Sequence, residues 1–297
     1  MSQAICQTFS YNEPFDWKSH LAFLAYRSIP GVEIVKGTSY ARTIIMDGRQ
    51  GHFTAEFEDC SNQINIEIHY PELLQLHRIT NRIRSIFDLD ANSAQIDEFL
   101  GKDKILKSVV EKHPGLRVPG CWSGFELAVR AVLGQQVTVK AASTLVSRIV
   151  ERYGEPYLCA ITGLNYVFPE PHKLMRAKFK NIGIVRQRVE AIRSIARLVA
   201  SENLVIDNSV DSKEFIEEIR KVKGIGEWTA SYIAMRALSD ANAFPYSDLI
   251  LCRAVTNEEL SPKQLQGISE SWQPRRAYAA MLLWKNYGFQ RGNDHKI

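Results

Sequence analysis

The stretch Lys223-Gly224-Ile225-Gly226 lies between two helical patterns, over residues 212–222 and 227–238. Two glycines around one apolar residue are typical of a tight turn, because glycine allows unusual backbone angles and lets a second backbone come close. The turn exposes the first amide N–H groups of the second helix, and these donors favour a phosphate group. A plain helical hairpin would show the same pattern. The turn therefore predicts two packed helices, and a polyanion site only together with further signals.

Asp248 is the second signal, about twenty residues beyond the turn. Residues 243–248 have the composition of a loop, and a further helix is predicted to start at Leu249. An aspartate directly before a helix is typically its N-cap. A capping aspartate is also held rigidly, so the same position would suit a fixed catalytic carboxylate.

The first 88 residues predict an α+β domain. Asp16 is a candidate cap for a helix that ends at about residue 29. Strands are predicted at 32–35, 41–46 and 52–57, with Asp47-Gly48 as a hairpin turn. Isoleucines alternate with polar residues between 64 and 68, which is the period of a half-buried strand. We expect an antiparallel sheet with one solvated face, followed by a helix over 71–87.

The pattern is mainly helical from residue 89 to residue 297. Residues 124–152 are apolar nearly all round, which predicts a buried central helix pair broken near Gly134. Residues 185–200 carry one apolar stripe, and the arginines off that stripe are predicted to line a solvated face. These are Arg186, Arg188, Arg193 and Arg197. The fold class is therefore α+β, with an N-terminal antiparallel β-sheet and helices in residues 1–88 and a mainly α-helical region in residues 89–297.

Composition narrows the classes of function. The chain of 297 residues has a net charge of +4, which permits a nucleic-acid partner without demanding one. We expect no membrane span and no signal peptide, since no stretch has the apolar length that either needs. Its cysteines are far apart, which indicates reduced thiols in an intracellular protein and excludes a four-cysteine iron–sulfur site after Asp248. They are Cys6, Cys60, Cys121, Cys159 and Cys252.

Blocks along most of the chain are similar to one known family. They are Phe15-Asp16-Trp17, Ser39-Tyr40-Ala41-Arg42, residues 116–121 (Leu-Arg-Val-Pro-Gly-Cys), residues 130–137 (Arg-Ala-Val-Leu-Gly-Gln-Gln-Val), residues 275–279 (Arg-Arg-Ala-Tyr-Ala) and Trp284. With the glycine turn and the aspartate after it, the chain resembles the helix-hairpin-helix DNA glycosylases, in particular the bacterial 3-methyladenine DNA glycosylase II (AlkA) type. Lys223 departs from the family pattern, which often has proline there. The resemblance implies a two-lobed helical glycosylase core, with its helix-hairpin-helix at about 212–238.

The resemblance also implies roles for single residues. Asp248 would be the catalytic carboxylate. The base pocket would contain Phe23, Trp228, Tyr232 and Trp284, and ordinary core packing is the alternative for each of them. DNA contacts would involve Gln136, Lys223, Gly224, Gly226 and Thr229, and a lysine that is merely exposed is the alternative for Lys223. Gln136 falls where the family inserts a wedge into the gap left by a flipped base, and a polar residue at a helix break is its alternative. The resemblance permits a monovalent cation on the carbonyls of Arg220, Val222 and Gly224.

These roles imply a monofunctional DNA glycosylase of base excision repair. Some relatives carry a nucleophilic lysine where Trp228 stands, and tryptophan cannot form a Schiff base. The expected substrates are alkylated bases in double-stranded DNA, with 3-methyladenine and 7-methylguanine among them. The alternatives are a glycosylase for another lesion, such as an oxidised base, and a non-catalytic protein that binds damaged DNA. A carboxylate beside a polyanion disfavours the latter. We expect a monomer without a cofactor or membrane partner, in the cytoplasm or nucleoid if the source is bacterial.

Overall fold

The computed structural model describes residues 4–58, 61–256 and 259–290, with side chains up to residue 288, so Cys60 lies outside the described residues. The strands are β1 Ala4–Ser10, β2 Glu33–Lys36, β3 Ser39–Met46, β4 Arg49–Phe57, β5 Gln63–His69, β6 Glu155–Pro156 and β7 Tyr166–Val167. The helices are α1 Trp17–Arg27, α2 Leu76–Phe87, α3 Ser93–Leu100, α4 Lys107–Lys112, α5 Gly124–Gly134, α6 Val139–Tyr153, α7 Pro171–Leu174, α8 Arg186–Ala200, α9 Ser212–Arg220, α10 Glu227–Ala237, α11 Leu249–Ala254, α12 Pro262–Ser269 and α13 Arg276–Gln290.

Five strands form one antiparallel sheet in the order β1-β5-β4-β3-β2. The predicted hairpin turn is confirmed, since Asp47 and Gly48 both have positive φ between the paired residues Met46 and Arg49. The three isoleucines of β5 are buried, and this face of the sheet packs on α1 and α2. The α+β fold class is thus confirmed, with the sheet first and a mostly helical region after it.

Strand β1 is absent from the sequence prediction. It pairs with β5 along its whole length, from Ala4 opposite His69 to Ser10 opposite Gln63. Ile5, Gln7 and Phe9 occupy alternate positions on this strand. Because a polar residue stands between the two apolar ones, the alternation that identifies a strand is interrupted.

The central helix pair is predicted only half correctly. Helix α5 has eight buried residues out of eleven, and it ends at Gly134 as expected. Helix α6 buries only Val146, Ile149 and Val150, so it is an amphipathic surface helix and the prediction of a helix buried all round is wrong. Among the described residues, no helix is both long and apolar enough to cross a membrane.

The arginines of α8 do not all line a solvated face. Arg186 is exposed, as predicted, and it also pairs with Glu190. Arg188 donates to the carbonyl of Gln135, and Arg193 donates to the carbonyl of Ala177. The prediction is therefore wrong for these two side chains. A guanidinium reaches far enough to satisfy a distant carbonyl, which the periodicity of one helix does not reveal.

A buried cluster of charges joins the sheet to α5. Arg42 of β3 lies 2.7 Å from the carboxylate of Glu126 and 3.6 Å from that of Glu33. Arg130, one turn beyond Glu126, lies 3.1 Å from Glu33 and 3.2 Å from Glu126. Tyr40 adds a hydrogen bond of 2.8 Å to Glu33. The attraction of these arginines lowers the pKa of Glu33, although burial alone would raise it.

His20 makes the stability of the fold depend on pH. Its Nε2 lies 3.0 Å from the carbonyl oxygen of Ile86, and burial lowers its pKa from 6.5 to about 3. The unfolded chain thus binds a proton below pH 6.5 that the folded chain does not, so stability falls as the solution is acidified. Between pH 7 and pH 5 the loss from this group is about 2 kcal/mol.

We predict that His20→Gln reduces the fall in unfolding free energy between pH 7 and pH 5 by about 2 kcal/mol relative to the unmodified chain. Urea titrations at the two pH values measure this difference. His77→Gln is the matched control, because His77 is exposed and should leave the pH dependence as it is. Equal pH dependence in the His20 variant and the unmodified chain would contradict the prediction.

Candidate active site

The glycine turn connects α9 and α10 as a helical hairpin. Asp211 caps α9, and the buried side chains of Val222 and Ile225 anchor the turn in the core. Gly224 has a φ of +96°, a conformation that residues with a side chain rarely adopt. Gly226 is the N-cap of α10 and gives no side-chain hydrogen bond to the helix. The first N–H groups of α10 therefore have no side-chain cap, and Gly226 itself is exposed.

Gln135 fastens the hairpin to the loop between α5 and α6. Its Nε2 donates to the carbonyl of Gly224 and to the hydroxyl of Thr229, each at 2.9 Å. The Thr229 side chain is buried, so its backbone N–H would make any DNA contact at this residue. The next residue, Gln136, is exposed with a φ of +54°. No role for Gln135 was predicted from the sequence, although this residue stands directly before the candidate wedge.

Two of the three carbonyls named for a monovalent cation already accept hydrogen bonds. The oxygen of Val222 accepts from Ile225 N at 3.0 Å, and that of Gly224 accepts from Gln135. A carbonyl oxygen has a second lone pair, so both oxygens fit a weakly held cation. Together with the carbonyl of Arg220 they could hold such an ion. The cation stays a prediction.

Asp248 is the N-cap of α11 and also lies in a cradle of three N–H donors. Its Oδ1 accepts from the backbone N of Leu251 at 2.9 Å and from the indole of Trp284 at 3.1 Å. Its Oδ2 accepts from the indole of Trp228 at 2.7 Å. Donors on both oxygens fix the orientation of the carboxylate and stabilise its negative charge.

Three of the four aromatic residues named from the sequence lie together beside this carboxylate. Trp228 and Tyr232 are one turn apart on α10 and stack with ring centroids 5.2 Å apart and planes 6° apart. Trp284 of α13 contacts Tyr232 edge to face at 6.4 Å. Because the indole N–H groups of both tryptophans point at Asp248, their rings are held in fixed positions beside it.

Two arginines that were not predicted from the sequence contact the ring of Phe23. The guanidinium of Arg27 lies 3.9 Å from the centre of its ring, and that of Arg236 lies 4.8 Å away. Arg236 also donates to the carbonyls of Pro119 and Gly120. One signal could have found both arginines. Each stands four residues after an aromatic residue of the site, the spacing that brings two side chains together on one helix face.

The same arginines act on Tyr232. Arg236 donates to its hydroxyl at 2.8 Å. Burial alone would raise the pKa of Tyr232, but the positive charges of Arg236 and Arg27 outweigh it and lower that pKa. The inner end of α10 is therefore a positively charged region.

A cleft of about 840 Å³ brings most of these residues together. Its walls include Phe23, Arg27, Gln136, Gly224, Gly226, Trp228, Thr229, Tyr232, Arg236, Asp248 and Trp284. Lys223 is exposed on the hairpin and is not one of the lining residues. A cleft with one fixed carboxylate, aromatic walls and a helix N-terminus at its rim can hold a flat ring next to a negative charge.

Comparison with known proteins places this arrangement in a family. Residues 6–123 match the AlkA N-terminal domain, and residues 129–273 match the HhH-GPD superfamily of base excision DNA repair proteins. The chain belongs to the helix-hairpin-helix base excision DNA repair family. The hairpin and Asp248 both lie inside the second matched region. The domain boundary at residue 88 stays a prediction.

Individual relatives cover the chain almost completely. A Mycobacterium tuberculosis protein named as a probable bifunctional transcriptional activator/DNA repair enzyme AlkA is 34% identical over 274 residues, which are 91% of this chain and 55% of that protein. This chain thus spans about half the length of that relative. The DNA-3-methyladenine glycosylase 2 of Escherichia coli is 29% identical, over 95% of this chain and 98% of that one.

A solved structure shares the fold of this family member. The 3-methyladenine DNA glycosylase from Archaeoglobus fulgidus superimposes with a TM-score of 0.83 and 23% sequence identity. The match covers 96% of this chain and 99% of that chain. The sheet domain and the helical region therefore occur together in another protein of known structure.

The two hairpin glycines should differ in their tolerance of alanine. Gly224→Ala forces a side chain into positive φ and should lower the unfolding free energy by about 1–2 kcal/mol. Gly226 has extended backbone angles, and an added Cβ would meet no atom within 4 Å. Gly226→Ala should therefore stay within about 0.5 kcal/mol of the unmodified chain. Urea unfolding of both variants checks the contrast, and equal losses would contradict it.

Proposed function

We propose that this protein is a monofunctional DNA glycosylase that flips an alkylated base out of double-stranded DNA and hydrolyses its N-glycosidic bond. The observation that carries the proposal is Asp248, whose carboxylate is held by the indoles of Trp228 and Trp284 at an aromatic cleft. A base inside the duplex stack offers no access to C1′, so the nucleotide must rotate into a cleft of this kind.

Asp248 would act by electrostatics. Loss of the base leaves a sugar with oxocarbenium character, and a fixed carboxylate stabilises the positive charge that develops. Both of its oxygens already accept N–H groups, which makes the carboxylate a weak nucleophile and a well-oriented anion. It can also orient the water that attacks C1′.

The opposite end of the cleft would help the base to leave. Steps of four residues along α10 separate Trp228, Tyr232 and Arg236. Arg236 is therefore about 12 Å further along the helix than Trp228, the residue that holds Asp248. When the glycosidic bond breaks, its electron pair moves onto the base. The cations Arg27 and Arg236 then stabilise the base while Asp248 stabilises the sugar.

DNA would be bound along the rim of the cleft. The open N-terminus of α10, with Gly226 as its cap, offers N–H groups to a backbone phosphate. Lys223 adds a positive charge at the same turn. Gln136, exposed on the loop after α5, is the proposed wedge that fills the space of the flipped base.

The proposed substrates are N-alkylated purines, with 3-methyladenine and 7-methylguanine among them. The Escherichia coli relative is named DNA-3-methyladenine glycosylase 2, and a Bacillus subtilis relative is named DNA-3-methyladenine glycosylase. Trp228 and Trp284 offer large aromatic faces that favour a flat, electron-poor ring. Arg27 and Arg236 repel a positively charged base. This repulsion disappears when the base leaves in neutral form, and its loss promotes cleavage.

The decisive test is incubation of the protein with methylated duplex DNA, followed by chromatography of the released bases. We predict release of 3-methyladenine and 7-methylguanine. Asp248→Asn should keep the fold and most of the DNA affinity but lose at least ~100-fold in excision rate. Near-normal excision by this variant would remove Asp248 from the mechanism. Preferential release of 8-oxoguanine would support an oxidised lesion instead, and binding without release would support a non-catalytic protein.

We also predict that the product strand stays intact at its abasic site. Trp228 stands where a lyase would need its amine, so no Schiff base can form there. The measurement is gel electrophoresis of the reacted strand before and after alkali, with borohydride present in a parallel reaction. Cleavage should appear only after alkali. A covalent protein–DNA adduct trapped by borohydride would contradict the assignment.

A further inference from the structure

Glu227, the first residue of α10, joins the hairpin to the loop that carries Asp248. Its Oε1 accepts a hydrogen bond from the hydroxyl of Ser231 at 2.7 Å. Its Oε2 accepts from the hydroxyl of Ser247, the residue directly before Asp248. Ser231 is buried on the same helix, one turn further on. One oxygen of the carboxylate is thus bonded to its own helix, and the other oxygen is bonded to the loop before Asp248.

Electrostatics alone does not explain a carboxylate at this position under the proposed function. The N-terminus of α10 is where a DNA phosphate would bind, and a negative side chain there repels the phosphate. The helix dipole favours Glu227 in the free protein, but a bound phosphate would use the same dipole. A residue that weakens DNA binding at this site calls for a compensating role.

The geometry of the loop supplies that role. Two consecutive residues of α10, Glu227 and Trp228, hold two consecutive residues of the loop, Ser247 and Asp248. Trp228 and Trp284 hold the side chain of Asp248, and the Glu227–Ser247 bond adds a restraint on the residue before it, so that the backbone of the loop is held as well as the carboxylate. Within the loop itself, Asp248 N donates to the carbonyl of Pro245 at 2.8 Å.

We infer that Glu227 is a positioning residue, which couples the phosphate-binding end of α10 to the orientation of Asp248 through its hydrogen bond with Ser247. The inference rests on the proposed glycosylase function. Glu227 thus has two effects of opposite sign. Its charge weakens DNA binding, and its attachment to the loop raises the rate of the chemical step.

Three variants separate the two effects, and a fourth serves as the control. Ser247→Ala removes the attachment and keeps the charge, Glu227→Ala removes both, and Glu227→Gln removes the charge but keeps an acceptor for Ser247. Glu217→Gln is the matched control, because Glu217 is an exposed carboxylate on α9. Each protein is assayed for single-turnover excision of one 7-methylguanine from duplex DNA at saturating enzyme. Binding is measured on the same duplex with a tetrahydrofuran abasic analogue, together with the thermal midpoint.

Loss of the attachment should lower the excision rate about tenfold in Ser247→Ala and in Glu227→Ala, the value of one hydrogen bond to a charged group. Glu227→Gln should stay within about threefold of the unmodified chain in rate. Both Glu227 variants should bind the abasic duplex about threefold more tightly at low salt, and Ser247→Ala should not. A merely structural role would shift the thermal midpoint without this split between rate and affinity.

The failures are distinguishable. If the unmodified protein releases no base from the duplex, the proposed function fails and the positioning role falls with it. If the unmodified protein is active and Ser247→Ala matches its rate, the positioning role alone is overturned. Equal loss of rate in Glu227→Gln and Glu227→Ala, with Ser247→Ala unaffected, would attribute the effect to charge and would also overturn it. Glu217→Gln should match the unmodified chain in rate.

Discussion

The docking of the sheet onto α5 depends on four charges between them, of which three are buried and Arg130 is half-buried. Glu33 and Arg42 come from neighbouring strands, and Glu126 and Arg130 come from one face of α5. Opposite charges that are buried together must stay paired, since removing one partner leaves an uncompensated charge at a cost of about 3–5 kcal/mol. This requirement favours the observed contact over a shifted one, because a shift of α5 along the sheet would separate Arg42 from Glu126 and Arg130 from Glu33.

The same cluster determines where the first domain enters the cleft. Arg130 donates to the backbone carbonyl of Arg27, the last residue of α1, and Glu33 accepts from the backbone N of Ile29 just beyond it. The end of α1 is therefore fixed by the charges that join the domains. Phe23 and Arg27, on the last turns of that helix, extend into the cleft lined by α10. The sheet domain is thus part of the site and not an appendage to it.

The sequence predicts those features whose signals are local. The Asp47-Gly48 turn, the alternation along β5 and the cap at Asp16 depend only on neighbouring residues, and the structure has all three. The prediction that α6 is buried all round is wrong, because only three of its apolar residues are buried in the core. Arg188, Arg193 and Gln135 bond to backbone groups far away in the chain, which no local pattern encodes.

The candidate site divides in the same way. Asp248 and the three aromatic residues around it could be named because family motifs preserve their spacing along the chain. Arg27 and Arg236 could not, because their part in the site depends on Phe23, which reaches the cleft only when two domains are docked. Role assignments for all of these residues stay predictions until excision is measured.

Under the proposed function, the arginines change the meaning of the aromatic pocket. A pocket of aromatic faces alone would bind a cationic base tightly before and after cleavage, and tight binding of the ground state does not accelerate a reaction. Arg27 already occupies one face of the Phe23 ring, so that face cannot bind a cationic base. A charged base then meets repulsion at the inner end of the cleft and attraction to Asp248 at the outer end. Breaking the glycosidic bond removes the positive charge from the base and places it on the sugar, next to the carboxylate. The two ends of the cleft therefore favour the same movement of charge, and selectivity for bases that leave easily follows from the field across the site more than from contacts with the base itself.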